Sequence, residues 1–358
     1  MLVIKAPPGG GKSTLLAELC FDLASRYGLS MTVATPTREQ ARSIGRKLLD
    51  HLPAGHVILA LSATNPADVD ARWAVPVERV GWGKVEIRTL DSLRMSRTDT
   101  PSRLLIVDEA FQAPFALGAS AARNVDQIVA VGDPGQIGPV VTVDTSVFDE
   151  LEIAPHRPFA EVLPHLEGAQ TIHLDATYRL GPRTRDLIAG LYDFDFVSRR
   201  PPANLILNGY RLPEIQGVAT ANVVESAVAR ARDLCWGEFE FEGERRAMTP
   251  DDVAVLTSLR VHAAEAGARL RALGLGDVTV GTADQLQGGQ WPAVVVIDPL
   301  AASSISDHHL SLGRLCVMLT RHVGHCSFVT TPAWRTALVD ADGDLRHHER
   351  IRRTILEA

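Results

Sequence analysis

Ala6-Pro7-Pro8-Gly9-Gly10-Gly11-Lys12-Ser13-Thr14 follows the apolar run Leu2-Val3-Ile4 and opens a segment, Ser13 to Tyr27, in which Leu15, Leu16, Leu19 and Leu23 recur at helical spacing. A strand, a glycine-rich turn and an amphipathic helix in that order form a place for a phosphate. Backbone N–H groups can curl round the anion with the positive end of the helix behind them. In that frame Pro8, Gly9, Gly10, Gly11 and Thr14 belong to the phosphate-binding loop, Lys12 reaches the β and γ oxygens, and Ser13 offers its hydroxyl to Mg²⁺. Ala6 stands where the strict pattern has its first glycine.

Further apolar runs, Thr32-Val33-Ala34, Leu104-Leu105-Ile106-Val107 and Ile128-Val129-Ala130-Val131, alternate with helix-length segments such as Arg38 to Leu52. Continuous apolar runs spaced in this way predict a parallel sheet covered on both faces. The second run ends in Asp108-Glu109. Two carboxylates at a strand end are often only a solvated turn. Next to a phosphate loop, however, Asp108 would hold Mg²⁺ through water or Ser13, and Glu109 would polarise the attacking water as general base. The third run leads into Gly132-Asp133-Pro134-Gly135-Gln136. Asp-Pro-Gly favours a turn, and from the same sheet edge Gln136 would sense the γ-phosphate.

The 358 residues suffice for two domains. A Pro-rich break after about residue 155 marks the expected boundary, giving domains 1–155 and 156–358, with an irregular insertion at 53–85 that carries Trp73 and Trp82. A second strand–helix series follows: Thr171 to Leu174, Val253 to Leu256, Val278 to Val280, Val294 to Ile297, Cys316 to Leu319 and Ser327 to Val329. The sequence therefore predicts an α/β protein of two parallel-sheet domains in tandem. Apolar residues at 46% and charged residues at 22% exclude wholesale disorder. A net charge of −7 argues against indiscriminate coating of nucleic acid, though a locally basic groove stays compatible. No run is long enough for a membrane span, and the N-terminus lacks the features of a signal peptide, so a cytoplasmic protein without membrane contact is expected. Cys20, Cys235, Cys316 and Cys326 lack metal or disulfide spacing and are read as buried thiols. His308-His309 and His347-His348 have no carboxylate or Cys companion at ligand spacing, and the basic tail Arg346 to Arg353 is expected to be a solvated helix face.

Eight short motifs occur in order: Ala6 to Thr14, Ala34-Thr35-Pro36-Thr37, Thr89-Leu90-Asp91-Ser92, Asp108-Glu109-Ala110-Phe111, Gly132 to Gln136, Ala176-Thr177-Tyr178-Arg179, Thr282 to Gly288 and Leu319-Thr320-Arg321-His322. The succession resembles superfamily 1 helicases, and the Asp-Glu-Ala-Phe, Tyr-Arg and Thr-Arg-His variants are similar to helicases of positive-strand RNA viruses. It covers residues 1 to about 330.

The resemblance implies two RecA-like domains of the P-loop NTPase fold. ATP with Mg²⁺ would be bound between them, with a single strand of DNA or RNA across their tops. Arg179 and Arg321 would then neutralise charge on the γ-phosphate. Gln287 and Gly288 would lie near the nucleotide and couple it to the strand, and Gln290 would take the place of a ribose-binding Glu. Thr35, Pro36, Thr37, Thr89 and Thr282 match positions that touch the phosphodiester backbone, although each hydroxyl is equally well explained as a helix cap. With every active-site group in one chain a monomer is expected, and the resemblance implies 5′-to-3′ movement. Only five residues precede Ala6, so the family's adenine-reading glutamine has no counterpart and loose base choice is expected. The small insertion predicts reduced accessory domains.

Overall fold

The computed structural model describes residues 1–53, 56–59, 82–95, 103–302, 305–339 and 343–357. The chain forms two compact units: Met1–Pro134 with Gly138–Leu174, and Gly135–Ile137 with Asp175–Ala358.

The first unit contains β1 (Leu2–Lys5), α1 (Lys12–Tyr27), β2 (Met31–Thr35), α2 (Arg38–His51), β3 (Val57–Leu59), β4 (Val85–Thr89), α3 (Leu90–Met95), β5 (Leu104–Val107), α4 (Phe115–Ala121), β6 (Gln127–Gly132), α5 (Phe159–Val162) and β7 (Gln170–His173). The strands form one seven-stranded sheet in the order β3-β4-β2-β5-β6-β1-β7, with every pairing parallel. Side chains of a strand alternate between faces. Accordingly Leu104 and Ile106 of β5 join a core with Leu16 and Cys20 of α1 and Ile44 and Leu48 of α2. Leu105 and Val107 join the opposite core with Leu90, Ala121 and Phe159. Both faces are covered, which is why these strands read as unbroken apolar runs.

The second unit contains β8 (Ala176–Thr177), α6 (Pro182–Ile188), β9 (Val197–Ser198), β10 (Ala203–Leu207), β11 (Tyr210–Arg211), β12 (Ile215–Ala219), α7 (Val223–Leu234), β13 (Glu238–Phe241), β14 (Glu244–Ala247), β15 (Val253–Thr257), α8 (Arg260–Ala272), β16 (Thr279–Thr282), β17 (Trp291–Ile297), α9 (Leu312–Leu319), β18 (His322–Thr330), α10 (Ala333–Ala337) and α11 (Asp344–Leu356). Its main sheet has five strands in the order β12-β18-β17-β15-β16, again all parallel. Val253 and Val255 face the core lined by α7 and α8. Ala254 and Leu256 face the one lined by α9 and α11.

The structure corrects the sequence reading at several points. The Pro-rich break near 155 lies inside the first unit, because the run at Thr171 forms β7 and pairs with β1. Cys316 to Leu319 is not a strand but the end of α9, started by Ser311, whose hydroxyl accepts the Arg314 N–H. The second unit also carries an antiparallel sheet of four strands, β11-β10-β13-β14, that was not anticipated. Its two hairpins turn on Asn208-Gly209 and Glu242-Gly243, all four residues at positive φ, the condition for two-residue turns that match strand twist. In the basic tail Arg352 is fully buried and pairs with Asp298. Most of the 53–85 insertion, Trp73 included, lies outside the described residues. Trp82 meets Phe21 edge-on at 5.7 Å between ring centroids, packed against the α1 core. All four cysteines are buried thiols outside any disulfide. Among the described residues no helix is long and apolar enough to cross a membrane.

Candidate functional site

β5, β6 and β1 are neighbours in the first sheet and run parallel, so the loops after Val107, Gly132 and Lys5 leave from one edge. After β1 the chain turns with the Gly10 N–H donating to the Pro7 carbonyl at 3.0 Å. Gly9 and Gly11 take φ of 70° and 81°, values that strain any residue with a Cβ. Gly11 caps α1 without a side-chain hydrogen bond. The first-turn donors of that helix therefore face the loop together with its positive end. Lys12 Nζ lies 3.8 Å from Asp133 Oδ2, and both side chains are buried or nearly so. Asp133 was given no role from the sequence. Its signal was positional: it is the first residue beyond a buried strand adjoining the loop strand.

Asp108 is buried, and its Oδ1 accepts the Glu109 N–H at 3.0 Å. Burial first, and then the neighbouring Glu109 charge, push its carboxyl up to about 7 against the opposing pull of Lys12, the Glu109 N–H and Lys47. A buried carboxylate beside a second one, with the Ser13 hydroxyl in the first turn of α1 at the same sheet edge, is a hard oxygen set carrying excess negative charge, which suits Mg²⁺. Ser13 and Asp108 are the residues that would hold it. Glu109 itself adopts φ of 53°, which costs a non-glycine residue about 1 kcal/mol. Its Oε2 accepts from Gln112 Nε2 at 3.0 Å, and Gln112 Oε1 accepts from Gln40 Nε2 at 2.9 Å. Gly132 is required where β6 ends, since a Cβ there would stand 2.8 Å from the Phe111 ring.

The candidate strand-gripping hydroxyls are all engaged locally. Thr35 is fully buried, and its hydroxyl donates to the Thr37 carbonyl at 2.8 Å, so it positions Thr37 rather than meeting a ligand itself. Thr37, beyond Pro36, is exposed and closes a capping box at the start of α2 with Gln40. Thr89 accepts the Ser92 N–H at 3.2 Å at the start of α3. Thr282 repeats the Thr37 arrangement in the second unit: its N–H and O–H both donate to Gln285 Oε1, at 3.0 and 3.2 Å. Each unit therefore presents a Thr-x-x-Gln box near the carboxyl end of a parallel strand.

Residues 1–162 match the AAA domain family. Solved structures with a similar fold include the PRRSV helicase, at 17% identity and a TM-score of 0.53, covering 92% of this chain and 52% of that one. Arterivirus nonstructural protein 10, a helicase, matches at 18% identity and a TM-score of 0.54, covering 92% and 59%. A complex of an arterivirus nonstructural protein 10 helicase with DNA matches at 17% identity and a TM-score of 0.51, covering 92% and 61%. The chain shares the fold of these solved structures. It spans between about half and three fifths of the length of those helicases, and no curated protein matches its sequence significantly.

In this fold's second unit, Thr177 accepts the backbone N–H groups of Arg179 and Leu180 at 3.3 and 3.2 Å, fixing the turn that carries Arg179. The Gln290 amide lies against the Arg179 guanidinium and, turned so that its oxygen faces Arg179, accepts from it. Arg321 is buried, and its Nε donates to the Val317 carbonyl at 3.0 Å at the end of α9. Next to it, His322 Nε2 meets Thr184 Oγ1 at 3.0 Å, and Glu214 accepts the Arg183 and Thr184 N–H groups. Burial alone would raise Glu214, but hydrogen bonds from His322 and Thr184 outweigh it and hold the carboxyl down at about 2. Gln136 does not stay with the first sheet's edge as expected. Gly135–Ile137 belongs to the second unit, where Gln136 Oε1 accepts from Gln287 Nε2 at 3.3 Å. Gly288 follows at φ 94°.

Proposed function

We propose that this chain hydrolyses nucleoside triphosphates, ATP among them, and uses the cycle to move 5′-to-3′ along single-stranded nucleic acid. The observation that carries this is the convergence of Lys12, Asp133, Asp108 and Glu109 on one sheet edge, beside an α1 N-terminus that no side chain caps. In this reading the loop N–H groups and Lys12 bind the β and γ phosphates, and the Glu109 carboxylate takes the proton of the attacking water. Mg²⁺ held by Ser13 and Asp108 would spread the phosphate charge. Arg179 and Arg321 bring planar, permanently charged guanidinium groups to the charge that develops on the γ-phosphate. Gln136, Gln287 and Gly288 report the nucleotide state, and Gln290 meets the ribose. Thr37, Thr89 and Thr282 form a grip on phosphates that is indifferent to base. An arterivirus helicase of similar fold described in complex with DNA supports nucleic acid as the partner.

The test is ATP turnover with and without short single-stranded DNA and RNA, which also ranks the two polymers. Lys12→Ala abolishes turnover. Glu109→Gln still binds ATP but loses on the order of 10²–10⁴ in rate, and near-normal hydrolysis by that variant overturns the assignment. Stimulation without displacement of a blocking protein from the strand indicates a nucleotide-gated clamp instead.

A further inference from the structure

β2 and β5 are adjacent parallel strands, and the segments that leave their carboxyl ends are joined by a continuous line of side-chain hydrogen bonds. The Thr37 N–H and O–H donate to Gln40 Oε1 at 3.1 and 2.9 Å. Gln40 Nε2 donates to Gln112 Oε1 at 2.9 Å, and Gln112 Nε2 donates to Glu109 Oε2 at 3.0 Å. Along the side chains every hydrogen points the same way, from exposed Thr37 at one end to the Glu109 carboxylate at the other, while the Gln40 backbone N–H donates back to Thr37 Oγ1 at 3.3 Å. Gln40 and Gln112 are both partly buried, where such bonds polarise one another and are not screened away.

We propose that Gln40 and Gln112 are positioning residues that transmit strand contact at Thr37 to the carboxylate of Glu109. The proposal rests on the hydrolysis reading above and adds how hydrolysis comes to depend on the strand. In the free chain Gln112 occupies Glu109 Oε2 and ties that oxygen away from water. A backbone phosphate oxygen arriving at Thr37 competes for its hydroxyl hydrogen. Gln40 Oε1 then loses one of its two Thr37 donors, its amide becomes a weaker donor to Gln112, and Glu109 is released to accept from water. Thr37 is exposed enough to be reached, and a hydroxyl reads phosphate without regard to base.

The deciding variant is Gln40→Glu. Glutamate is a preferred residue at this place in a capping box, so the start of α2 and the acceptor for Thr37 are kept. It cannot donate to Gln112 Oε1, however. Gln112 then turns its amide toward the new carboxylate and lets Glu109 go. The expected result is an unstimulated ATP turnover raised about fivefold, the worth of one such hydrogen bond, with the rate at saturating single strand unchanged. The ratio of stimulated to unstimulated rate therefore falls by the same factor. Gln112→Leu does the same, and the double variant is no faster than either single one, since both cut one line. A purely structural role would instead lower both rates together and lower the melting temperature. Two outcomes overturn the relay alone: an unchanged stimulation ratio in Gln40→Glu, or parallel loss of both rates with wild type still stimulated. Absence of strand stimulation in wild type, or normal hydrolysis by Glu109→Gln, overturns the hydrolysis reading and the relay with it.

Discussion

Arg179 and Arg321 carry the same charge in different surroundings. Arg179 is half-buried and rests on the Gln290 amide, so Arg179→Ala should lower turnover by on the order of 10³ and leave the melting temperature nearly unmoved. Arg321 is buried against the end of α9, and its removal opens a cavity and frees a helix-end carbonyl. Arg321→Ala should therefore lose both turnover and stability, read side by side in ATPase and thermal melts. The motif gave the two arginines one role, because position in sequence says nothing about burial. The same limit applied to the threonines: a hydroxyl before a helical pattern suits a cap and a phosphate equally, and only the inward-facing Thr35 shows which of them cannot do both. A pH dependence follows from His325, which burial holds at about 3, against a usual 6.5, with its ring nitrogens on the Pro213 carbonyl and Ser327. Between those values the unfolded chain binds the proton at His325 and the folded one does not, so the His325 contribution to stability falls as pH drops from about 6.5 toward 3, by up to about 1.4 kcal/mol per pH unit. Asp108, pushed up to about 7, contributes with the opposite sign over part of that range, so the reading that isolates His325 is the difference in urea stability between wild type and His325→Asn at several pH values, which should shift against wild type as pH drops.

At the scale of elements, the parallel strands were legible because burial on both faces writes continuous apolar runs. The run Cys316 to Leu319 shows where that signal fails: four apolar residues fit a buried helix as well as a strand. The antiparallel sheet was unread although Asn208-Gly209 between Leu207 and Tyr210 is a strong hairpin signal. Its strands are too short and too charged, as in Glu244-Arg245-Arg246-Ala247, to stand out by hydropathy. For α11 a charge pattern misled, because three arginines near a chain end suggest solvent while Arg352 points inward. Its guanidinium makes a 2.6 Å bond to Asp298 Oδ1, and Asp298 also accepts the Thr330 hydroxyl at 2.6 Å and the Leu300 N–H at 2.9 Å. Asp298→Ala leaves that buried guanidinium without its carboxylate, its remaining hydrogen bonds going to His348, and should cost about 3–5 kcal/mol. Chemical denaturation measures it, and a loss under 1 kcal/mol would show that α11 contributes little to the second unit.

For the molecule as a whole, movement along a strand requires only a nucleotide cycle and two phosphate grips, the role proposed for the paired Thr-x-x-Gln boxes. Separating a duplex requires in addition a rigid wedge, because each base-pair step costs about 1.4 kcal/mol to open. Among the described residues the wedge candidate is Trp82, which is committed to the α1 core and does not serve. Displacement of streptavidin from biotinylated single strands should therefore be efficient, while long duplexes are opened weakly and 5′-tailed ones before 3′-tailed ones. Robust opening of a blunt duplex, or preference for 3′ tails, would contradict this. The place of β7 has a consequence for biosynthesis. It pairs with β1, the strand that carries the phosphate loop, yet it lies beyond residue 162, where the AAA domain match ends. A nascent chain released at that residue would leave β1 as a bare sheet edge, open to pairing with other chains. The first unit thus completes itself only after Gln170–His173 has left the ribosome, and the half that carries the glycine-rich loop matures later in translation than its motifs imply.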